Sequence, residues 1–285
     1  MYRVGKQEDV AALRELSRLC FGDSDEFLDL FYSARFRPEQ CFVWEGEGEI
    51  AAFAFALPLT LKLTDETLPA AYIYSVGTHP DYREKGLASG LMDFIWKELT
   101  ARGVKIALLV PAGEGLFDFY GRLGFRPLTN IASGARANVC CRSCCARSMS
   151  VEPATSAEYF ELREKLLADT PHFVWDIEDL RYQGAFSGLV GGGLYLVGDG
   201  AGCAVMESGP RGVVLKELLA PAEIMADGVE AFANSRVRGA STEVRTTVGM
   251  GSAIGLAQQT FTMARWTADV PEAKLKGIYF GLALD

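Results

Sequence analysis

The sequence predicts a mixed α/β protein in which a central sheet flanked by helices is built twice along the chain. Three observations carry this. Helical and strand periods alternate over the first 130 residues as helix, helix, three strands, helix, strand, helix. A similar order restarts after Met149. The chain's 285 residues, 49% hydrophobic and 23% charged, suit one large or two medium folded domains.

Glu8 to Leu19 places Val10, Leu13, Leu16 and Leu19 at helical spacing. A second helix starts at Asp23 or Ser24, either of which can cap it, with Phe27, Leu28, Phe31 and Tyr32 as its apolar face. Cys41–Trp44 and Ile50–Leu63 read as a hairpin across a Glu-Gly-Glu-Gly-Glu turn. Ala70–Val76 is an apolar strand. Residues 81–102 turn helical, with Leu87, Leu91, Phe94, Ile95 and Leu99 on one side. Val104–Val110 is a buried strand. Leu116–Leu123 is a short helix that Gly124 ends.

In the second round, helices are expected at Ala157–Ala168 and Asp176–Gln183, and from Pro221 to about Ala233. Strands are expected at Tyr195–Val197, Cys203–Met206, Gly212–Leu219, Thr242–Thr247, Thr262–Thr267 and Ile278–Leu284. The boundary falls within Ser148–Thr155, giving domains of residues 1–150 and 151–285.

The net charge of −9 and pI of about 5.0 lack the cationic footprint of a nucleic-acid binder. The longest apolar stretch, Ile50–Leu61, contains Pro58 and is too short to span a bilayer. No nucleic-acid or membrane partner is expected, and with no targeting segment at the start the expected location is cytoplasmic. Seven cysteines, four of them clustered at Cys140, Cys141, Cys144 and Cys145, read as reduced thiols. Cys141-x-x-Cys144 has zinc-like spacing but no second ligand pair, so no metal is expected.

The informative stretch runs from Tyr74 through Arg83-Glu-Lys-Gly-Leu-Ala88, a strand entering a tight turn before a helix. Free N–H groups and the positive dipole end at a helix start make an anion site for a pyrophosphate. Gly86 lets the backbone approach closely, Ala88 keeps the next turn low, and Arg83 adds a charge. A second element follows, Phe119-Tyr120-Gly-Arg-Leu-Gly124-Phe125.

Together these stretches resemble the Gcn5-related N-acetyltransferase family over residues 1–130. Arg83 to Ala88 matches its Arg/Gln-x-x-Gly-x-Gly/Ala turn, and Phe119 to Phe125 its Phe-Tyr-x-x-x-Gly-Phe element. The resemblance implies the acyl-CoA N-acyltransferase fold and acetyl-CoA as co-substrate. Backbone N–H groups across Glu84, Lys85, Gly86, Leu87 and Ala88 would hold the pyrophosphate. Val76 and Thr78 would pair with the pantetheine arm, the Val76 N–H facing the thioester oxygen. Tyr120 would protonate the leaving thiolate. The acceptor would be a primary amine of a small molecule or a peptide. One departure is Gly113, where many members carry an asparagine.

No general base is assigned: Glu26, Glu45 and the terminal Asp285 read as surface carboxylates. His79, before Pro80, reads as a turn residue. The second half lacks both motifs and resembles a degenerate copy, as in tandem acetyltransferases. There Trp175, Trp266 and Tyr279 read as core. The alternative function is non-catalytic acyl-CoA binding or sensing.

Overall fold

The computed structural model describes residues 1–137, 149–209, 212–236 and 241–284 of the chain. The chain divides into two compact units, Met1–Leu128 with Thr262–Lys276, and Thr129–Phe261 with Gly277–Asp285.

The first unit runs β1 (Tyr2–Val4), α1 (Val10–Phe21), α2 (Asp25–Leu30), β2 (Cys41–Gly46), β3 (Glu49–Lys62), β4 (Thr67–Thr78), α3 (Leu87–Ala101), β5 (Ile106–Leu109), α4 (Glu114–Arg122) and β6 (Arg126–Pro127). Local chemistry sets several boundaries. α1 ends at Gly22, whose φ of 73° lets its N–H reach the Arg18 carbonyl at 2.9 Å. Ser24, and not Asp23, caps α2, its Oγ accepting from the Phe27 N–H at 3.2 Å. Beyond α2 the chain makes one wide π turn, Phe31–Arg35. Glu47 and Gly48, at φ 54° and 83°, close the β2–β3 hairpin with a primed turn that matches strand twist.

β3 and β4 alternate between two helical layers. Ala52, Ala54, Ala56, Ala71 and Ile73 pack with Leu91, Met92, Ile95 and Leu99 of α3. The alanines keep that face low, so the helix can sit close at native packing density. Phe53 and Phe55 face the other way, where Phe21 and Phe31 meet them with ring centroids 6.1 and 4.8 Å apart.

The second unit runs β7 (Asn130–Ala137), β8 (Val151–Pro153), α5 (Ser156–Leu166), β9 (His172–Val174), α6 (Ile177–Leu189), β10 (Gly193–Val197), β11 (Gly202–Gly209), β12 (Gly212–Leu219), α7 (Met225–Arg236), β13 (Ser241–Thr246), α8 (Val248–Ser252) and β14 (Ala257–Thr260). The last strand, β15 (Met263–Trp266), belongs to the first unit.

The two sheets repeat one plan. The first has the order β1-β2-β3-β4-β5-β15-β6 and the second β8-β10-β11-β12-β13-β7-β14. In each, a parallel pair, β4–β5 or β12–β13, is joined through a crossover helix, α3 or α7. The slot next to β5 or β13 is filled by a strand from the other half of the sequence. β7, which follows β6 in the chain, pairs with β13 and β14, while β15 pairs with β5 and β6.

Four expectations therefore change. A linear division at residue 150 gives way to one in which the chain passes between units after Leu128, Phe261 and Lys276. Helix 81–102 begins only at Leu87, because Pro80–Tyr82 is a separate 3-10 turn and residues 83–86 form a loop. Pro221 precedes α7 by a turn, its carbonyl accepting from the Ile224 N–H at 3.1 Å. Ile278–Leu284 is extended and buried but is no strand. Tyr279 bridges Pro171 and Phe173 by backbone bonds of 2.8 and 3.1 Å, and the Trp175 indole donates to the Leu282 carbonyl at 3.0 Å. Trp175 and Tyr279 are core, as expected; Trp266 is half-buried under the Arg126 guanidinium, 3.9 Å from its ring centroid. The cysteine cluster at Cys140–Cys145 lies outside the described residues. Among the described residues, no helix is long and apolar enough to cross a membrane.

The second unit holds an ion pair in its core. Glu217 accepts from Arg163 Nε and Nη2 at 2.8 and 3.2 Å and from the Tyr159 hydroxyl at 2.6 Å, with Arg163 and Glu217 at 1% and 0% exposure. Arg163→Ala leaves a carboxylate buried without its partner. It should cost about 3–5 kcal/mol of stability, read as a lower urea midpoint. A loss below about 1 kcal/mol would show the pair to be dispensable.

Candidate functional site

β4 and β5 pair in parallel at only three positions, Ala70–Ile106, Ala71–Ala107 and Tyr72–Leu108. Beyond Tyr72, β4 runs on to Thr78 beside β3 alone. A bulge marks the departure. Phe55 faces Tyr74 and Phe53 faces Gly77, so β4 carries one extra residue there, and Ser75 and Val76 have no register partner. Ser75 sits at φ 56°, unusual for a residue with a side chain. From Tyr74 to Val76 the strand changes from buried to half-buried, as an opening between two strands requires.

The turn that follows is built from its own side chains. His79 Nδ1 accepts from the Asp81 N–H at 3.2 Å, which makes His79 the cap of the short 3-10 turn and bears out its reading as a turn residue. Arg83 Nε donates to the Thr78 carbonyl at 3.2 Å. The Lys85 ammonium lies 4.7 Å from the centre of the Tyr82 ring, which in turn meets Trp44 and His79. Glu84 and Gly86 take left-handed φ values of 62° and 75°. Gly86 is the N-cap of α3, no side chain caps the helix start, and its first turn holds no acid. Gly86 is exposed, and a Cβ there would meet nothing within 4 Å. The helix therefore presents free N–H groups and an uncompensated positive end to open space, an arrangement suited to a phosphate-bearing ligand.

Tyr120 stands on α4, in the core formed by Leu91, Leu109, Phe125 and Met263. Val76, Leu87 and Phe117, all half-buried, pack against the same cluster. The structure thus gathers Val76, Leu87 and Tyr120 around one core, beside the turn that carries Arg83, Glu84, Lys85, Gly86 and Ala88. Burial alone pushes the Tyr120 phenol up to about 12, so the group stays protonated at neutral pH. Gly113 is the extended N-cap of α4, and a Cβ there would also meet nothing within 4 Å.

The opposite face of β4 is aromatic. Tyr74 lies 6.0 Å from Phe31 and 6.1 Å from Tyr72, ring centre to ring centre. Phe31 and Tyr72 are buried core, while Phe27, Tyr32 and Tyr74 remain half-buried. Of the carboxylates weighed as bases, Glu45 is tied to Arg3 at 2.6 Å, Glu26 is exposed in the first turn of α2, and Asp285 lies outside the described residues. Two features escaped sequence reasoning. The bulge at Ser75 has no glycine to announce it. Asp23, which can serve as a helix cap, gives way in that duty to Ser24 and is half-buried.

The second unit has a related bulge with different contents. β12 pairs with β13 only over Gly212–Leu215. Val205 faces Glu217 and Met206 faces Leu215, leaving Lys216 as the extra residue. Here Lys216 and Glu217 are wholly buried, and the turn before α7 contains Pro221, which has no N–H to give.

Residues 1–128 match the model of the acetyltransferase (GNAT) domain family. The fold is similar to that of a GCN5-related N-acetyltransferase from Anabaena variabilis, with a TM-score of 0.73 at 20% identity over 93% of this chain and 72% of that one. A GCN5-related N-acetyltransferase from Kribbella flavida gives 0.72 at 16% identity over 93% and 70%. Eis1 from Mycobacterium abscessus gives 0.66 at 13% identity over 93% and 73%.

Two outcomes follow from this geometry. Gly86→Ala should cost about 1–2 kcal/mol through its positive φ, with no clash to add to it; a larger loss in thermal unfolding would mean that the site is not open. In an alkaline absorbance titration, the difference between wild type and Tyr120→Phe should place the missing phenolate near pH 12 instead of 10. Because the folded value is raised, this phenol's stabilising contribution is complete below pH 10.0 and is lost as pH climbs through about 12.

Proposed function

Residues 1–128 form a GNAT acetyltransferase domain, and from that premise we propose that the protein transfers an acetyl group from acetyl-CoA to a primary amine of a small molecule or protein. The observation that carries this reading is the opening of β4 away from β5 at Ser75–Val76, ending in an uncapped helix start at Gly86.

The turn residues fit the coenzyme's pyrophosphate. Main-chain N–H groups over Glu84–Ala88 would receive it, with Arg83 adding positive charge and the bare Gly86 leaving space for close approach. The stretch of β4 from Val76 to Thr78, which has no strand on the side that β5 leaves, would take the pantetheine arm as an added strand. The Val76 N–H would meet charge developing on the thioester oxygen, a contribution of about 3–4 kcal/mol in comparable sites. Tyr120, kept protonated by burial, would give its proton to the departing sulfur. A neutral amine nitrogen forms the new C–N bond as the C–S bond breaks, leaving an amide and free coenzyme A.

The second unit is proposed as a degenerate copy without a cofactor site. Pro221 and the buried Lys216–Glu217 pair stand where the first unit has an open turn and an open strand end. The alternative is an acyl-CoA binding or sensing protein without transfer. The small Gly113 favours it, because one anchor for the pantetheine arm is absent.

A thiol-release assay across polyamines, aminoglycosides, amino acids and peptides decides between the two. Transfer predicts thiol release with at least one primary amine. Tyr120→Phe should lower kcat by about 10²-fold or more while the Kd for acetyl-CoA stays within about twofold. Full turnover in Tyr120→Phe would refute the acid role. Thermal stabilisation by acetyl-CoA with no thiol release would leave only the sensing function.

A further inference from the structure

The first unit carries an open cavity of about 640 Å³, lined by none of the residues assigned to the coenzyme. Its volume falls within the range of about 300–1,000 Å³ typical of sites for small organic molecules. One wall is a stripe of α1. Ala12, Leu16 and Leu19 recur at helical spacing and share a face, with Glu15 among them and Glu8 just ahead of the helix. Leu19 is 51% exposed, so this stripe is apolar surface that the fold leaves uncovered. A second wall is the β2–β3 hairpin, through Glu45, Glu49 and Ile50. Arg3 of β1 and Asp9 line the cavity too, and His79, at the end of β4, completes it.

The lining is more acidic than the nearby cations offset. Arg3 answers two carboxylates at once, Asp9 at 2.7 and 2.9 Å and Glu45 at 2.6 Å. Arg14 and Arg18 together face three, Glu15, Asp25 and Asp29. Glu8 has Lys6 at 3.2 Å. Glu49 is exposed and makes no ion pair among the described residues. A cleft of one sign concentrates cations and repels the phosphates of a coenzyme. Among the described residues no three acids, histidines or cysteines converge as a metal ion requires. Carboxylates spread along an apolar stripe suit a longer cation. A methylene chain with several ammonium groups can lie on Ala12, Leu16, Leu19 and Ile50 while its charges make charge-assisted hydrogen bonds to the acids.

We propose that this cavity binds a linear polyamine, as an effector and not as the acetyl acceptor. None of its lining belongs to the core cluster that gathers Val76, Leu87 and Tyr120, so an amine held here is not set beside the acyl group. His79 connects the cavity to the coenzyme turn. Its N–H donates to the Ala51 carbonyl at 2.8 Å, next to Ile50 of the hairpin wall. Its carbonyl accepts from the Tyr82 N–H at 2.9 Å, and its ring meets the Tyr82 ring edge-on at 5.7 Å. Tyr82 in turn carries the Lys85 ammonium 4.7 Å from its ring centre. A bound polyamine offsets the carboxylates near this turn and lowers the negative potential that a pyrophosphate meets at Glu84–Ala88. By linkage, polyamine and acetyl-CoA then tighten each other's binding by the same factor. That consequence rests on the coenzyme reading, whereas the site itself does not.

Titration calorimetry on the full chain tests the site, with spermidine as the probe and acetyl-CoA left out. Spermidine should bind, and butylamine, with a single charge, should bind at least about tenfold more weakly. Glu49→Lys reverses an exposed charge of the lining. It should weaken spermidine about tenfold with the melting temperature unchanged, and Glu15→Gln should weaken it about threefold. Saturating spermidine should lower the Kd for acetyl-CoA about fivefold in the wild type and less than about twofold in Glu49→Lys. Equal spermidine affinity in wild type and both variants, or equal affinity for butylamine or Mg²⁺, would overturn the site. An acetyl-CoA Kd that ignores spermidine would overturn the effector role. A protein that binds acetyl-CoA but not spermidine would refute the cavity site alone. One that binds spermidine as stated but not acetyl-CoA would uphold the site and refute the coenzyme reading, and the coupling with it.

Discussion

The arrangement of the first unit depends on one constraint: β4 must stay bonded to β3 along its length yet leave β5 after Tyr72. A parallel pair normally continues until one strand ends, since each lost ladder bond leaves polar backbone to be satisfied elsewhere. Here the separation is stabilised from the side. Leu91, Met92, Ile95 and Leu99 of α3, with Tyr120 and Phe125, fill the space beneath the parting strands, and Val76 and Leu87 close over it. The bulge at Ser75 re-aims the strand at the point where it loses its neighbour. Every proposed cofactor contact, from Val76 to Ala88, lies downstream of that departure.

Close packing makes the opening possible. The alanines of β3 and β4 let α3 approach, and Gly90 extends the same logic at the helix start. A Cβ at Gly90 would fall 2.0 Å from the Tyr2 hydroxyl, which donates toward the Leu87 carbonyl at 3.4 Å. Gly86 is bare for the opposite reason. Nothing protein lies near it, and its positive φ turns the chain so that the free N–H groups of α3 face outward. One glycine serves packing and the other serves access, only four residues apart at the start of the same helix.

The two units reach one sheet order and then diverge at the same place. Where the first leaves backbone unpaired and half-exposed, the second buries Lys216 and Glu217 and ties Glu217 to Arg163 and Tyr159. A buried ion pair is a poor source of net stability but a strict one, because removing either partner strands a charge. The strand exchange is consistent with this shared plan: β7 and β15 each fit an antiparallel slot beside a parallel strand, and each occupies the slot in the sheet built mainly from the other half of the sequence.

What the sequence determined by itself was local. The Glu47-Gly48 turn and Gly124 end or start their elements through dihedral preference, which acts within a few residues, and the cap of α2 was narrowed to Asp23 or Ser24. The Arg83–Ala88 and Phe119–Phe125 stretches were legible for the same reason, since a helix start and a helix end are short-range features. The apolar faces of α1, α3 and α4 followed from their period. Tertiary structure alone decided two things: that β4 leaves β5, and that β7 and β15 trade sheets. Strand partnership and register are set by which distant surface offers the better burial. A non-glycine bulge such as Ser75 leaves no mark in composition, because its strain is balanced by contacts that exist only after the chain has folded.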